Sequence, residues 1–226
     1  MFPSESFEPK NIGSVQHELR ASDGSYARLL VVDDEPEVLN VLEKLLLSVG
    51  FKPEVFSDGQ MLLDAVGEND FGCVLTDLKM PGLSGFDVQQ KLGERSSCLS
   101  VVVLTANATV PSAIELMTKG AVTILEKPCK RAELCGAVKL AIESSFERLQ
   151  KQDRKLNAIA LLQTLDEDEL QVLELAAKGL PNKAIATELS LSQRTVDRRR
   201  SSAMEKLKIN TLADFALLKV TASGDL

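Results

Sequence analysis

The sequence has no tryptophan, one tyrosine and one histidine, His17, and this scarcity excludes several kinds of site. Its four cysteines, at positions 73, 98, 129 and 135, contain no CxxC pair, so the usual ligands of a zinc site are missing. We therefore expect reduced thiols, with Cys73 in a hydrophobic core. No apolar run approaches the roughly 20 residues that a membrane-spanning helix needs, so we expect no membrane contact.

The N-terminus lacks a basic segment followed by an apolar stretch, which a secretory signal requires, and we therefore expect a cytoplasmic protein. Residues 1–27 are polar, contain Pro, Ser and Gly, and show no sustained periodicity. We predict a flexible N-terminal extension over these residues.

Charge is distributed unevenly along the chain, whose net charge is −7. Residues 1–150 hold 22 acidic side chains against 14 basic ones, whereas residues 178–208 hold eight basic side chains against three acidic ones. The basic segment is suited to contact phosphates, which the acidic part repels. This asymmetry predicts two parts with different functions.

Short apolar segments alternate with amphipathic segments from Arg28 onwards. The pattern predicts strands at residues 28–32, 53–56, 73–76, 100–105 and 122–126, and helices near 36–49, 58–66, 86–94 and 110–119 and from Arg131. Five strands alternating with five helices are typical of an α/β domain, with a parallel sheet covered on both faces. In such doubly wound sheets, ligands bind at the carboxyl ends of the strands.

The helix that begins near Arg131 has no clear end in the sequence. Apolar residues keep a helical spacing from Ile142 to Ile159, and no Gly or Pro occurs between residues 137 and 178. Two interpretations remain open: a helical linker over residues 144–163, or a surface helix that lies on its own domain.

The remainder of the chain, residues 164–226, predicts an all-α domain of four helices. One helix over 167–178 ends at Gly179, and Pro181 begins a short second helix. Ser192 is an expected N-cap for a helix over 193–207, and Thr211 is an expected cap for the last helix. Two short helices joined by a tight turn form a helix-turn-helix.

Polar side chains gather at the predicted ends of four strands. Asp33 and Asp34 follow the first strand, Asp77 the third, Thr105 the fourth and Lys127 the fifth. Three carboxylates in one pocket repel each other, and a bound Mg²⁺, which prefers oxygen ligands, resolves that repulsion. The chemistry that suits such a set is phosphoryl transfer with an Asp nucleophile. The alternative is that these are ordinary surface Asp residues in loops.

The segments VVDDEP, LTDLKMPGLSGFD, VVLTA, VPSAIELMTKGA and ILEKP resemble the receiver domain of two-component response regulators. The resemblance implies a flavodoxin-like domain over residues 28–143, phosphorylated on Asp77 by a sensor histidine kinase. It implies Mg²⁺ held by Asp33, Asp34, Asp77 and the Lys79 carbonyl, with Thr105 and Lys127 as catalytic groups. The sequence departs from the family at Ile124, where an aromatic residue is usual.

The segments GLPNKAIATELSLSQRTV and MEKL resemble the LuxR-type helix-turn-helix domain of FixJ-like regulators. The resemblance implies that helix 193–207 enters the DNA major groove and reads bases with Asp197, Arg198 and Ser201. Phosphate contacts are expected from the flanking residues Lys183, Arg194, Thr195 and Arg199. Arg200 is expected to point partly inward, toward an acidic partner. The family usually has a basic residue at position 197, so its base preference does not transfer.

Together these patterns predict a transcription factor switched by phosphorylation, which binds promoter DNA and forms a homodimer when phosphorylated. The phosphorylated domain would act only on itself, so we expect no conventional enzyme. A phosphatase would need an acid/base Asp two residues after the nucleophile, where this chain has Lys79. A second alternative is a phosphorylation-dependent protein-interaction adaptor whose terminal helices do not bind DNA.

Overall fold

The computed structural model describes residues 15–21, 23–106, 118 and 123–224. The chain divides into two compact units, Met1–Gln150 and Lys151–Leu226, so the division falls inside the segment predicted as a linker. The predicted helix over residues 110–119 lies outside the described residues, apart from Thr118.

A five-stranded parallel sheet forms the centre of the first unit, with the strand order β2-β1-β3-β4-β5. Its strands are β1 (Arg28–Val32), β2 (Pro53–Phe56), β3 (Gly72–Asp77), β4 (Ser100–Thr105) and β5 (Thr123–Glu126). The predicted doubly wound parallel sheet is confirmed. Its register aligns Asp77 with Leu104, so β3 and β4 end side by side.

Within the described residues, the first unit contains five helices. They are α1 (Val15–Glu18), α2 (Pro36–Ser48), α3 (Gly59–Ala65), α4 (Gly85–Glu94) and α5 (Arg131–Leu162), the last of which continues into the second unit. Pro36 occupies the first turn of α2, where its missing N–H costs nothing. Ser84 and Asp87 form a reciprocal capping box at α4.

Alternate strand residues enter two hydrophobic cores, one on each face of the sheet. Leu29, Val31 and Leu75 belong to the core that α2 and α5 cover. Leu30, Val32 and Val74 belong to the core that α3 and α4 cover. Because successive side chains of a strand point to opposite faces, these short apolar strands serve both cores.

The flexible extension predicted for residues 1–27 is wrong for the part that the structure describes. The Gln16 side chain is buried, donates a hydrogen bond to the Lys52 carbonyl at 3.2 Å and accepts one from the Lys52 N–H at 2.8 Å. Leu19 and Ala21 pack against the core beside it. One amide thus satisfies both backbone groups of Lys52, and this docks a polar segment that hydrophobic periodicity does not reveal.

Helix α5 extends the first unit beyond residue 143, the predicted end of the domain. Leu149 is buried in its core, and the Ser145 hydroxyl accepts a hydrogen bond at 2.6 Å from the N–H of Gly72. Arg148 donates to the Leu99 carbonyl and to the Ser100 hydroxyl. Residues 144–150 therefore lie on their own domain, and the helix continues from there to Leu162.

The second unit is helical, as predicted. After the end of α5 it contains α6 (Glu167–Ala177), α7 (Asn182–Glu188), α8 (Gln193–Lys206) and α9 (Leu212–Ser223). Ser192 caps α8 and Thr211 caps α9, both through the predicted side-chain hydrogen bonds. Within the described ranges, no helix has the length and apolar character to cross a membrane.

Candidate functional site

The carboxyl edge of the sheet brings four of the predicted polar residues to one place. Asp33 directly follows β1, Asp77 and Thr105 end β3 and β4, and Lys127 follows β5. Asp33 is 1% exposed and Thr105 is 3% exposed, whereas Asp77 retains 9% exposure. Asp77 therefore keeps some access to solvent at the sheet edge, whereas Asp33 is enclosed.

Lys127 connects the two buried carboxylates. Its Nζ lies 2.7 Å from Oδ2 of Asp33 and 2.6 Å from Oδ1 of Asp77. Burial lowers the pKa of Lys127, but hydrogen bonds to Asp33 and Asp77 outweigh that effect and raise the pKa above its ordinary value. The ammonium is therefore fully charged at neutral pH.

Backbone N–H groups hold the remaining carboxylate oxygens. The Lys79 N–H donates to Oδ2 of Asp77 at 2.6 Å, and the Glu35 N–H donates to Oδ1 of Asp33 at 3.0 Å. The loop after β3 returns closely to the strand, since a Cβ atom on Gly85 would lie 2.3 Å from the Asp77 carbonyl oxygen. The carboxylates are thus fixed by backbone before any ligand arrives.

Asp34 stands apart from the buried pair. Its side chain is exposed, and no three carboxylate, thiolate or imidazole groups among the described residues lie close enough to hold a metal ion. The prediction that one pocket collects three carboxylates is therefore wrong in this structure. Strand-end position predicted the shared edge, but it does not determine whether a side chain points inward or toward solvent.

Ile124 and the cysteines behave as ordinary apolar residues. Ile124, at the usual aromatic position, packs against the core formed with α3 and α4. The four cysteines are free thiols, and Cys73 is fully buried, as predicted. Burial raises the pKa of the Cys73 thiol and so disfavours the reactive thiolate.

Helix α8 presents a core face and an exposed face. Val196, Ala203 and Leu207, in α8 and at its C-terminal cap, are buried, as the sequence predicted. Exposed side chains include the three predicted base contacts and one flanking residue: Asp197, Arg198, Ser201 and Arg194. An exposed stripe at the N-terminal half of the second helix is the feature that helix-turn-helix proteins insert into the major groove.

The predicted phosphate contacts differ in their surroundings. Lys183 is exposed on α7, whereas Thr195 lies at the first turn of α8, with its hydroxyl 2.8 Å from that of Ser192. Arg199 forms an ion pair with Asp168 at 2.5 Å, so its guanidinium already has a partner within the domain. Sequence spacing could not show this pair, because Asp168 belongs to α6, 31 positions earlier.

Two residues that sequence reasoning missed fix α8 to its neighbours. Glu169, 4% exposed, accepts hydrogen bonds from Ser202 at 2.7 Å and from Lys206 at 2.6 Å. The Asn182 amide donates to Oδ1 of Asp197, and its carbonyl oxygen accepts from Arg200 at 3.4 Å. Arg200 is thus half-buried, and its hydrogen-bond partner is an amide where an acidic partner was expected. The acidic residue three positions after Asp166 was the one available signal for Glu169.

Comparisons with known proteins agree with these two units. The response regulator receiver domain family matches residues 29–139, and the luxR family of bacterial regulatory proteins matches residues 163–218. The transcriptional regulatory protein FixJ of Azorhizobium caulinodans is 36% identical over 198 residues, covering 86% of this chain and 94% of that protein. FixJ of Bradyrhizobium diazoefficiens is 34% identical over 194 residues, covering 86% and 95%.

A solved structure shows the same similarity. The structure of the response regulator StyR is 33% identical, with a TM-score of 0.78, and the match covers 86% of this chain and 98% of that one. Both domain families and relatives of nearly full length are thus matched in one chain. The chain therefore belongs to the FixJ-like response regulators, which regulate transcription through a receiver domain and a LuxR-type DNA-binding domain.

Proposed function

We propose that Asp77 accepts a phosphoryl group from a sensor histidine kinase and that this phosphorylation controls binding of the second unit to promoter DNA. The observation that carries the proposal is the Lys127 ammonium bound to both Asp33 and Asp77. These contacts support the proposal, because a carboxylate oxygen, a buried acid and a positive charge lie together at the carboxyl edge of the sheet. The reaction takes place in the cytoplasm, where the DNA target lies.

The chemistry of the transfer follows from these positions. An oxygen of Asp77 attacks the phosphorus of a phosphohistidine, and an O–P bond forms while the N–P bond breaks and its electron pair stays on the imidazole. Lys127 must release Oδ1 of Asp77, but its bond to Asp33 keeps the ammonium beside the incoming phosphoryl oxygens. Thr105, at the end of β4, supplies a hydroxyl from the neighbouring strand. The same site would also hydrolyse the acyl phosphate on Asp77, so the protein would act as a catalyst only on itself.

Receiver domains generally use Mg²⁺ for phosphorylation, and the residues here fit that ion. Asp33 and Asp77 offer carboxylate oxygens, and the Lys79 carbonyl is two residues from Asp77. Asp34 is exposed beside Asp33 in the chain and would have to turn toward the ion to bind it. The two buried carboxylates exceed the single ammonium by one negative charge, which favours a hard cation with oxygen ligands. When bound, the ion supplies positive charge to the phosphoryl oxygens.

Labelling of the intact protein tests the acceptor. With a small acyl-phosphate donor and Mg²⁺, the wild type should gain the mass of one phosphoryl group, and Asp77→Asn should gain none. Asp64→Asn is the matched control, because Asp64 is an exposed Asp on α3 and should label like the wild type. Equal labelling of the Asp77→Asn protein would overturn the assignment.

DNA binding by the second unit is supported by the exposed stripe of α8 and by Lys183 and Arg194 at its flanks. Affinity for nonspecific duplex DNA should fall with salt, with a log–log slope of about −0.9 per phosphate neutralised. Phosphorylated and free protein should differ in affinity. An absence of binding by both forms at low salt would favour the alternative of a protein-interaction adaptor.

Homodimer formation on phosphorylation stays a prediction. The structure reduces the number of apolar residues that could form the dimer contact. The helical apolar run from Ile142 to Ile159 would be the contact surface, but its residues Ile142 and Leu149 are buried in the core of the first unit. Leu156, farther along the helix, is 57% exposed. Sedimentation of free and phosphorylated protein tests the prediction, and an unchanged mass would contradict it.

A further inference from the structure

The exposed stripe of α8 contains an acidic residue at the place where helix-turn-helix proteins contact bases. Asp197 is the fifth residue of α8 and lies on the exposed side, while the preceding Val196 is buried in the core. Residues of the N-terminal half of such a helix contact base edges in the major groove. A carboxylate in that position is repelled by the phosphates on both sides of the groove, so it needs a specific donor to compensate.

Asn182 determines how Asp197 is held. Its amide donates to Oδ1 of Asp197, and its carbonyl oxygen accepts from Nη1 of Arg200 at 3.4 Å. The Asn182 side chain therefore connects the first residue of α7 with two positions one turn apart on α8. This leaves Oδ2 of Asp197 available as an acceptor, with its direction fixed from the neighbouring helix.

Base chemistry limits what such an acceptor can recognise. In the major groove, guanine presents only acceptors and thymine presents an acceptor and a methyl group, and both repel a carboxylate. Adenine presents a donor, but its N7 acceptor lies next to that donor. Cytosine presents the N4 amino donor alone and is therefore the base that a fixed carboxylate prefers.

From these observations we infer that Asp197, held in place by Asn182, selects a cytosine at one position of each operator half-site. The inference rests on the proposed function and extends it to base specificity. Asp197 is the residue that determines specificity at this one base, and Asn182 is a positioning residue that acts through it. Arg194 and Arg199 are expected to supply affinity for phosphates, whereas Arg198, the other charged residue predicted to contact bases, would bind the acceptors of guanine and not the amino donor of cytosine.

Selection from random duplex DNA with the full-length phosphorylated protein tests the inference. The wild type should enrich a motif with an invariant cytosine that becomes variable in Asp197→Ala. In Asp197→Asn the preferred base should change to adenine, since an amide pairs with the donor and acceptor of that base. Asp197→Asn is close to isosteric, so thermal unfolding should confirm that it folds like the wild type.

A chemical substitution in the DNA gives an independent readout. Replacing the selected cytosine by its 4-deamino analogue removes the N4 donor but keeps a pyrimidine opposite guanine. Wild-type affinity should fall about tenfold or more, and the affinity of Asp197→Ala should not change. Asn182→Ala should weaken selection at this base while leaving nonspecific affinity unchanged, a split that a purely structural role would not produce.

Glu205→Gln is the matched control, because Glu205 is an exposed acid on α8 eight residues after Asp197, about 12 Å along the helix. It should enrich the wild-type motif. If the wild type enriches a motif and Asp197→Ala enriches the same one unchanged, the inference is wrong and the proposed function stands. If the phosphorylated wild type enriches no motif, both are overturned.

Discussion

The ammonium of Lys127 lies 2.6 Å from Oδ1 of Asp77, so the proposed phosphoryl acceptor carries its own counterion. The same ammonium binds Asp33, whose side chain is almost fully buried. Two carboxylates that would otherwise repel each other are thereby held together at the sheet edge. The stability of the first unit should therefore depend on Lys127 and on pH.

Lys127→Gln should lower the free energy of unfolding of the first unit by about 1.5 kcal/mol at neutral pH, because it leaves two buried carboxylates without their cation. The pKa of Lys127 is raised in the folded protein, so its contribution is complete below the ordinary value and disappears as pH rises through the higher folded value. The difference between variant and wild type should therefore shrink above about pH 10.5. Urea unfolding followed by circular dichroism measures both effects.

Lys130→Gln provides the control for that measurement. Lys130 is 85% exposed and pairs only loosely with Glu133, at 3.7 Å. Its removal should change stability by less than about 0.5 kcal/mol. An equal loss in both variants would show that the Lys127 bridge has no special role in stability.

Glu169→Gln should destabilise the second unit by about 1–3 kcal/mol, since Lys206 and Ser202 lose a charged partner. Burial raises the pKa of Glu169, but hydrogen bonds from Lys206, Ser202 and the Asp166 N–H outweigh burial and lower it. A lowered pKa means that the stabilisation is present above about pH 4.3 and is lost as pH falls through the folded value. Glu167→Gln, at an exposed neighbour, should change the stability of the second unit by less than about 0.5 kcal/mol at neutral pH.

Substitution of two serines in the turn between α7 and α8 should change the stability of the second unit in opposite directions. Ser190 has a φ of +54°, a left-handed conformation that glycine adopts without steric cost, so Ser190→Gly should stabilise the second unit by about 1 kcal/mol. Ser192 caps α8 through its hydroxyl, so Ser192→Ala should destabilise it by about 1 kcal/mol. Thermal unfolding compares both variants, and a change of the same sign in both would contradict the assignment.

Ser145→Ala should destabilise the first unit by about 1–3 kcal/mol, because the N–H of Gly72 is buried and loses its acceptor. Ser144→Ala alters the adjacent residue of the same helix, for which no such bond to the sheet is found, and should have a small effect. Since the chain has no tryptophan, hydrogen exchange of the Gly72 amide is a more direct readout than fluorescence. Unchanged protection of that amide in Ser145→Ala would contradict the predicted role.

The sequence was sufficient for features that depend on local pattern. Each apolar strand had the length and composition of a buried parallel strand, and the polar residues that follow the strands predicted the edge where Asp33, Asp77 and Lys127 meet. Ser192 and Thr211 were recognisable as caps, because capping depends on a side chain within three residues of the helix start.

The features that the sequence did not predict depend on pairs far apart in the chain. Gln16 meets Lys52 across 36 positions, and Ser145 meets Gly72 across 73. Neither pair leaves a periodic signal, so the extension was predicted to be flexible and the first domain to end too early. The exposure of Asp34 was missed for a different reason. The sequence shows where a strand ends, but it does not show which way the side chain after it points.

The packing of α5 on the sheet also limits where recombination can join this receiver domain to a different output domain. Ser145, Arg148 and Leu149 all contact the sheet unit, so a recombination junction placed at residue 143 would separate the receiver from its own last contacts. A chimera joined after Gln150 inherits a complete core together with the start of the helix. Functional exchanges of output domains should therefore have their junctions between Lys151 and the end of α5, because the receiver unit then keeps all of its own core contacts.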